Sequence, residues 1–161
     1  RLIFINMSPA AAQDVDFLDG RLAREVLDRY LDPRQIVVEV TERTYAENQV
    51  LFSSVLGELR KEGFRVAVDD LGSGYSNLSA LADIRPEFLK FDHLFTKDIH
   101  RNRIKQDLLG AILSFAMKMD TQVIAEGIES LDELEALRRL GVPLGQGFYL
   151  GRPGPIEAIA A

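Results

Sequence analysis

Six side chains spread along the chain could do chemistry together: Asn6, Glu39, the adjacent Asp69 and Asp70, Lys90 and Glu126. Four are carboxylates, one is an amide and one an amine. Two carboxylates about 4 Å apart repel by roughly 4 kcal/mol at an effective dielectric of 20, so gathering this set calls for a compensating charge. A divalent cation supplies it. Oxygen ligands, with the Asn6 amide as the neutral member, suit Mg²⁺, Mn²⁺ or Ca²⁺ rather than zinc. Adjacent Asp69 and Asp70 can serve two ions, an arrangement used for in-line phosphoryl displacement. Lys90 would position the attacking water or neutralise charge in the transition state.

The elements that must position these groups are short apolar strands alternating with amphipathic helices. Strands are predicted at Leu2–Asn6, Ile36–Val40, Arg65–Asp69, Phe88–Phe91, Gln122–Ala125 and Gly145–Phe148. Helical stripes are formed by Leu51, Phe52, Val55, Leu56 and Leu59, by Ile104, Leu108, Ile112, Ala116 and Met119, and by Leu131, Leu134, Leu137 and Leu140. Gly63 and Gly141 read as helix C-terminal caps, and Ser130 with Glu133 as a capping box. Repeated β-α units with nearly all-apolar strands predict a parallel sheet covered by helices.

Side chains alternate across a strand, so Phe4 with Asn6, Ala67 with Asp69, Phe88 with Lys90 and Ile124 with Glu126 share the inward parity. The polar member of each pair lies at the C-terminal end, where parallel barrels place their chemistry. Six strands predict an incomplete TIM-type (β/α) barrel, about six of eight β/α units, with the N-terminal part expected upstream of residue 1. One domain over 1–161 and no second domain is expected. Such an open barrel is expected to associate as a homodimer or with the segment that closes it.

Composition narrows the function. Of 161 residues, 47% are hydrophobic and 27% charged, the balance of a globular domain with one core. No cysteine is present, which excludes thiolate zinc sites and a cysteine nucleophile. The two histidines, His93 and His100, are expected to be structural or exposed. A net charge of −6 argues against binding a nucleic-acid polymer. With no apolar run long enough to span a bilayer, no membrane contact and a cytoplasmic location are expected. Arg101, Arg103 and Lys105 read as a solvated helix start, and Met117 and Met119 as packing residues.

After Asp70 the run Leu71-Gly72-Ser73-Gly74-Tyr75-Ser76 is a glycine-rich turn able to bring backbone N–H groups to an anion or to move as a lid. Glu42 could anchor it. Taken singly, each motif has an ordinary alternative: Asp-Asp-Leu-Gly is usually a solvated turn, and a lone lysine usually snorkels to the surface. Their delivery to one mouth favours the site.

Jointly, Phe4–Pro9, Glu39–Glu42, Asp69–Ser76, Lys90–Asp92, Ala125–Glu129 and Gln146–Pro153 resemble, in order, the motifs of the EAL domain, the bacterial cyclic di-GMP phosphodiesterase family. The resemblance implies that Asn6, Glu39 and Asp69 ligate one metal, that Asp69 bridges to a second held partly by Asp70, and that Lys90 touches the nucleophilic water. It implies that Glu126 is a second-metal or general-base group. Glu42, Gly72, Ser73, Gly74, Asp92 and Glu129 become supporting groups, and Gln146, Tyr149, Arg152 and Pro153 become substrate-side groups. The implied reaction is hydrolysis of cyclic di-GMP to linear pGpG with Mg²⁺ or Mn²⁺ in a two-metal site, Ca²⁺ being inhibitory.

The chain departs from the family pattern in places. The family's Glu-Ala-Leu strand would lie upstream of residue 1, while Glu135-Ala136-Leu137 spells those letters in the middle of a helix. Leu71 and Phe91 replace a usual Phe and Ile. Two other functions stay open: a cyclic di-GMP receptor or protein-interaction scaffold without turnover, and an enolase-like barrel that joins carboxylates, Mg²⁺ and a lysine base.

Overall fold

The computed structural model describes residues 1–13, 32–71 and 78–155. Its strands are β1 (Ile3–Asn6), β2 (Ile36–Thr41), β3 (Arg65–Leu71), β4 (Phe88–Phe91), β5 (Gln122–Ala125) and β6 (Leu144–Gly145). Its helices are α1 (Glu42–Glu47), α2 (Gln49–Lys61), α3 (Leu78–Ile84), α4 (His93–Thr96), α5 (Arg103–Lys118) and α6 (Leu131–Leu140). All neighbouring strands pair in parallel, in the order β1 to β6. This is an incomplete TIM-type barrel, with no pairing between β1 and β6 among the described residues.

Two apolar layers hold it together. Val37, Ala67, Phe88 and Ile124 form a small buried cluster of their own on the inner face, and Phe4 packs edge-on against Phe88 at 5.4 Å. The larger core lies between the outer face of the sheet and the helices, and includes Val38, Val40, Phe52, Leu56, Val66, Val68, Leu89 and Leu137. Strands buried on both faces explain the β-branched, non-alternating runs. At the open edge, Ile3, Phe4 and Ile5 remain substantially exposed. None of the described helices is long and apolar enough to cross a membrane.

Capping sets the helix ends. Asn48 accepts from Leu51 N to start α2, Asp92 from Leu94 N to start α4, and Asn102 from Lys105 N to start α5. Both halves of the Ser130–Glu133 capping box are present, and Gly141 closes α6 at φ 86.

The structure corrects five expectations. The last strand is Leu144–Gly145 only; Phe148–Leu150 form a turn, because Leu150 N and Gly151 N both bond back to the Gly147 carbonyl. In α5 the expected stripe holds at Ala116, which is buried, and at Ile112 and Met119, which pack on the core, whereas Ile104 and Leu108 are exposed and Leu109 is buried instead. In α6 Leu131 is exposed, and Glu133 is buried alongside Ala136 and Leu137. Met117 is also exposed, and Lys105 is not simply solvated: its Nζ donates to the carbonyls of Leu94 and Lys97, tying α5 to the end of α4.

Candidate active site

One layer above the apolar inner cluster, the same strands present their polar residues. Val37 is followed two positions on by Glu39, Ala67 by Asp69, Phe88 by Lys90 and Ile124 by Glu126, so strand alternation lifts each from the apolar floor to the mouth. Asn6 stands in register with Glu39 on the neighbouring strand.

Lys90 is the hub. Its Nζ lies 2.8 Å from Glu39 Oε1, 3.1 Å from Asp69 Oδ2 and 2.9 Å from Glu126 Oε1. Lys90 and Glu39 are buried, and the other two side chains are only slightly open to solvent. Burial alone pushes the Lys90 ammonium down, but its hydrogen bonds to Glu39 and Glu126 and the charge of Asp69 outweigh it, so the pKa is held above the ordinary lysine range. Lys90 is therefore a permanent cation at any physiological pH. Burial raises the Glu126 carboxyl, with Asp69 and Glu39 reinforcing the shift and Lys90 opposing it.

Asp69 and Asp70 are adjacent, and regular alternation would send them to opposite faces. Between Val68 and Leu71 the β3–β4 register shifts, with three steps on β3 matched by two on β4, and Asp70 takes φ 60. This irregularity breaks the alternation, as a bulge does next to active sites. Asp70 itself is exposed; partial desolvation and the charges of Asp69 and Asp92 raise its carboxyl, and Lys90 partly opposes this. Asp70 thus feels the same cluster.

The remaining expected residues are placed unevenly. Asp92 caps α4 through Leu94 N at 2.7 Å, with His93 Nδ1 at 3.2 Å. The Glu129 side chain is exposed, and its backbone N–H bonds Glu133. Gln146 joins the β6 end through its backbone, donating to Ala125 O and accepting from Ile128 N. Tyr149 is exposed, Arg152 lies over the Phe148 ring at 4.6 Å, and Pro153 is exposed. Gly72, Ser73 and Gly74 lie outside the described residues, as does the side chain of Glu42, whose backbone opens α1.

Three carboxylates against one ammonium leave two negative charges when all are ionised, the charge of one divalent cation. Each carboxylate meets Lys90 through one oxygen; the second oxygen of Asp69 also accepts from Asp70 N at 2.9 Å, so a metal would share it with that bond. With the side chains turned onto Lys90, no three His, Asp or Glu among the described residues form a ready-made metal cage. The charge and oxygen chemistry fit a divalent ion that shares these carboxylates with Lys90. Sequence reasoning missed the β3 irregularity and the reach of Glu133, although an Asp-Asp pair ending a strand was itself a signal that alternation had to break.

A parallel half-barrel carrying buried carboxylates and a charged lysine at its strand C-termini defines a (β/α)-barrel enzyme-type site. The EAL domain family model matches residues 1–153, and the chain belongs to that family. Cyclic di-GMP phosphodiesterase PdeR of Escherichia coli K12 is 41% identical over 123 residues, 76% of this chain and 19% of that protein. The chain therefore spans about a fifth of that curated relative's length. The manganese/cyclic di-GMP complex of Klebsiella pneumoniae BlrP1 matches with TM-score 0.84 at 34% identity, covering 95% of this chain and 39% of that one. BlrP1 also has a calcium/cyclic di-GMP complex, matching at TM-score 0.85 and 34% identity over 92% of this chain and 38% of that one.

Proposed function

We propose that this chain is the catalytic part of a divalent-metal-dependent phosphodiesterase that hydrolyses cyclic di-GMP to linear pGpG in bacterial second-messenger signalling. The observation that carries this reading is the convergence of Glu39, Asp69 and Glu126 on Lys90 Nζ. Relatives named as cyclic di-GMP phosphodiesterases, and the BlrP1 complexes, supply the substrate. Residues 1–161 act as one domain in this reading.

Asn6, Glu39, Asp69, Asp70 and Glu126 would hold Mg²⁺ or Mn²⁺ in a two-metal site, with Ca²⁺ as an inhibitory substitute. A divalent ion held there would supply Lewis acidity to a bound water and offset phosphoryl charge. Lys90, whose pKa is raised by its carboxylate partners, is read as a cation rather than as the base. It donates N–H to the incoming water or to a phosphoryl oxygen, and it keeps the carboxylates from repelling one another apart. Glu126, whose affinity for a proton is raised, is the better acceptor for the proton leaving the water. The water oxygen bonds to phosphorus and the P–O3′ bond breaks with its electron pair on O3′; the proton taken from the water ends on that O3′ hydroxyl, and the opened ring leaves as pGpG. Gln146, Tyr149, Arg152 and Pro153 flank the substrate side, and Glu42, Gly72, Ser73, Gly74, Asp92 and Glu129 support the site. We place the protein in the cytoplasm, as a homodimer.

The test is incubation of the protein at its full natural length with cyclic di-GMP and Mg²⁺ or Mn²⁺, followed by chromatography. pGpG that appears with metal and disappears with chelator is the expected result. Tight nucleotide binding by folded, metal-loaded protein without product would replace this reading with a receptor.

A further inference from the structure

Glu126 stands just past the end of β5, held to β4 by one last ladder bond, so its aim also depends on the residues that follow it. Its amide bonds Phe91 O at 3.0 Å, at the corner where β4 turns into α4. The next residue, Gly127, has φ +65, and a Cβ built there would fall 2.3 Å from His93 Cβ and 3.1 Å from His93 Cα. The first residue of α4 therefore lies directly on the Gly127 peptide, with no room for a side chain between them.

The other side of the same segment is equally close. Ile128 N donates to Gln146 O, Tyr149 N donates to Ile128 O, and a Cβ on Gly147 would fall 2.2 Å from Ile128 N and O. Glu126 is thus the first residue of a segment clamped between α4 and the β6 turn. α4 is itself fixed, by the Asp92 cap at one end and by Lys105 on the Leu94 and Lys97 carbonyls at the other.

We propose that Gly127 is a positioning residue: its bare Cα seats the start of α4 at His93, and this contact aims the Glu126 carboxylate at Lys90. The proposal rests on the functional reading above for its kinetic consequence, but not for its geometry. Displacing a reacting group by about 1 Å costs roughly 100-fold in rate.

The experiment compares G127A, H93V and the double variant H93G/G127A with the parent. H93V crowds the same contact from α4 without touching the left-handed glycine, and so it tests the seat even where G127A fails to fold. Expected are about 100-fold losses in kcat with cyclic di-GMP binding changed less than about threefold, and at least about tenfold recovery in the double variant. Crystal structures of the variants supply the readout independent of activity: the Glu126 Oε1–Lys90 Nζ distance, 2.9 Å here, lengthens beyond hydrogen bonding in G127A or H93V and returns in the double variant. An unchanged distance in both single variants, or no recovery in the double, overturns the seat whatever the substrate. A parent without turnover whose variants nonetheless show the displaced carboxylate overturns the functional reading and keeps the seat.

Discussion

Lys90 carries the electrostatics of the mouth. Removing one partner of a buried ion pair leaves uncompensated charge, and Lys90 has three partners. Lys90→Met should therefore lower stability by about 3 kcal/mol at neutral pH and abolish turnover. The lysine pKa is raised on folding, so its contribution is complete below the ordinary lysine value and is lost only as pH rises through the folded value. As pH falls Glu126, whose carboxyl is raised by burial, takes up a proton, and the gap between wild type and variant should narrow. Urea melts at two pH values check both statements; a gap that stays constant would mean that the cluster is not charged as described.

Glu133 was legible as half of a capping box but does more than cap. It is buried, and its carboxylate accepts from the backbone N–H groups of Asp98, Glu129 and Ser130 at 3.0 to 3.1 Å. Burial pushes its pKa up, but these bonds outweigh it and leave the group below the usual glutamate range. A depressed carboxylate stabilises the fold above its unfolded pKa and loses that contribution as pH falls through the folded value. Glu133→Gln should thus lower stability by about 1–3 kcal/mol at pH 7, with the difference fading below about pH 4. Denaturant midpoints across that range are the check.

At the scale of elements, the strands and their inward parity were readable because parallel strands covered on both sides are apolar and because Asn6, Glu39, Asp69 and Lys90 recur at their C-terminal ends. What was not readable depended on tertiary contacts. A helix whose apolar residues cover more than one face can shift its contact along its length, and α5 buries Ala116 of the expected stripe but, nearer its start, Leu109 rather than Ile104 and Leu108. Leu109→Ala should cost about 2–4 kcal/mol, whereas Ile104→Ala should stay within about 0.5 kcal/mol. Thermal melts that reverse this order would restore the stripe expected from periodicity. The β3 irregularity and the Gly127 seat were likewise hidden, since a sequence prints neither a register shift nor the distance to a neighbouring helix.

For the whole molecule, the incomplete barrel from β1 to β6 and the acidic mouth belong together: the strands converge the carboxylates, and one internal cation offsets only part of their charge. A ligand that binds the folded state stabilises it by mass action, about 2.7 kcal/mol at a hundredfold excess over its dissociation constant. Adding Mn²⁺ should therefore raise the melting temperature of the wild type, and Asp69→Asn should blunt the rise. The most direct measurement is anomalous diffraction from crystals grown with Mn²⁺. An anomalous peak coordinated by oxygens of Glu39, Asp69 and Glu126 beside Lys90 is expected. A fully occupied Mn²⁺ site elsewhere, with this cluster still closed on Lys90 alone, would contradict it.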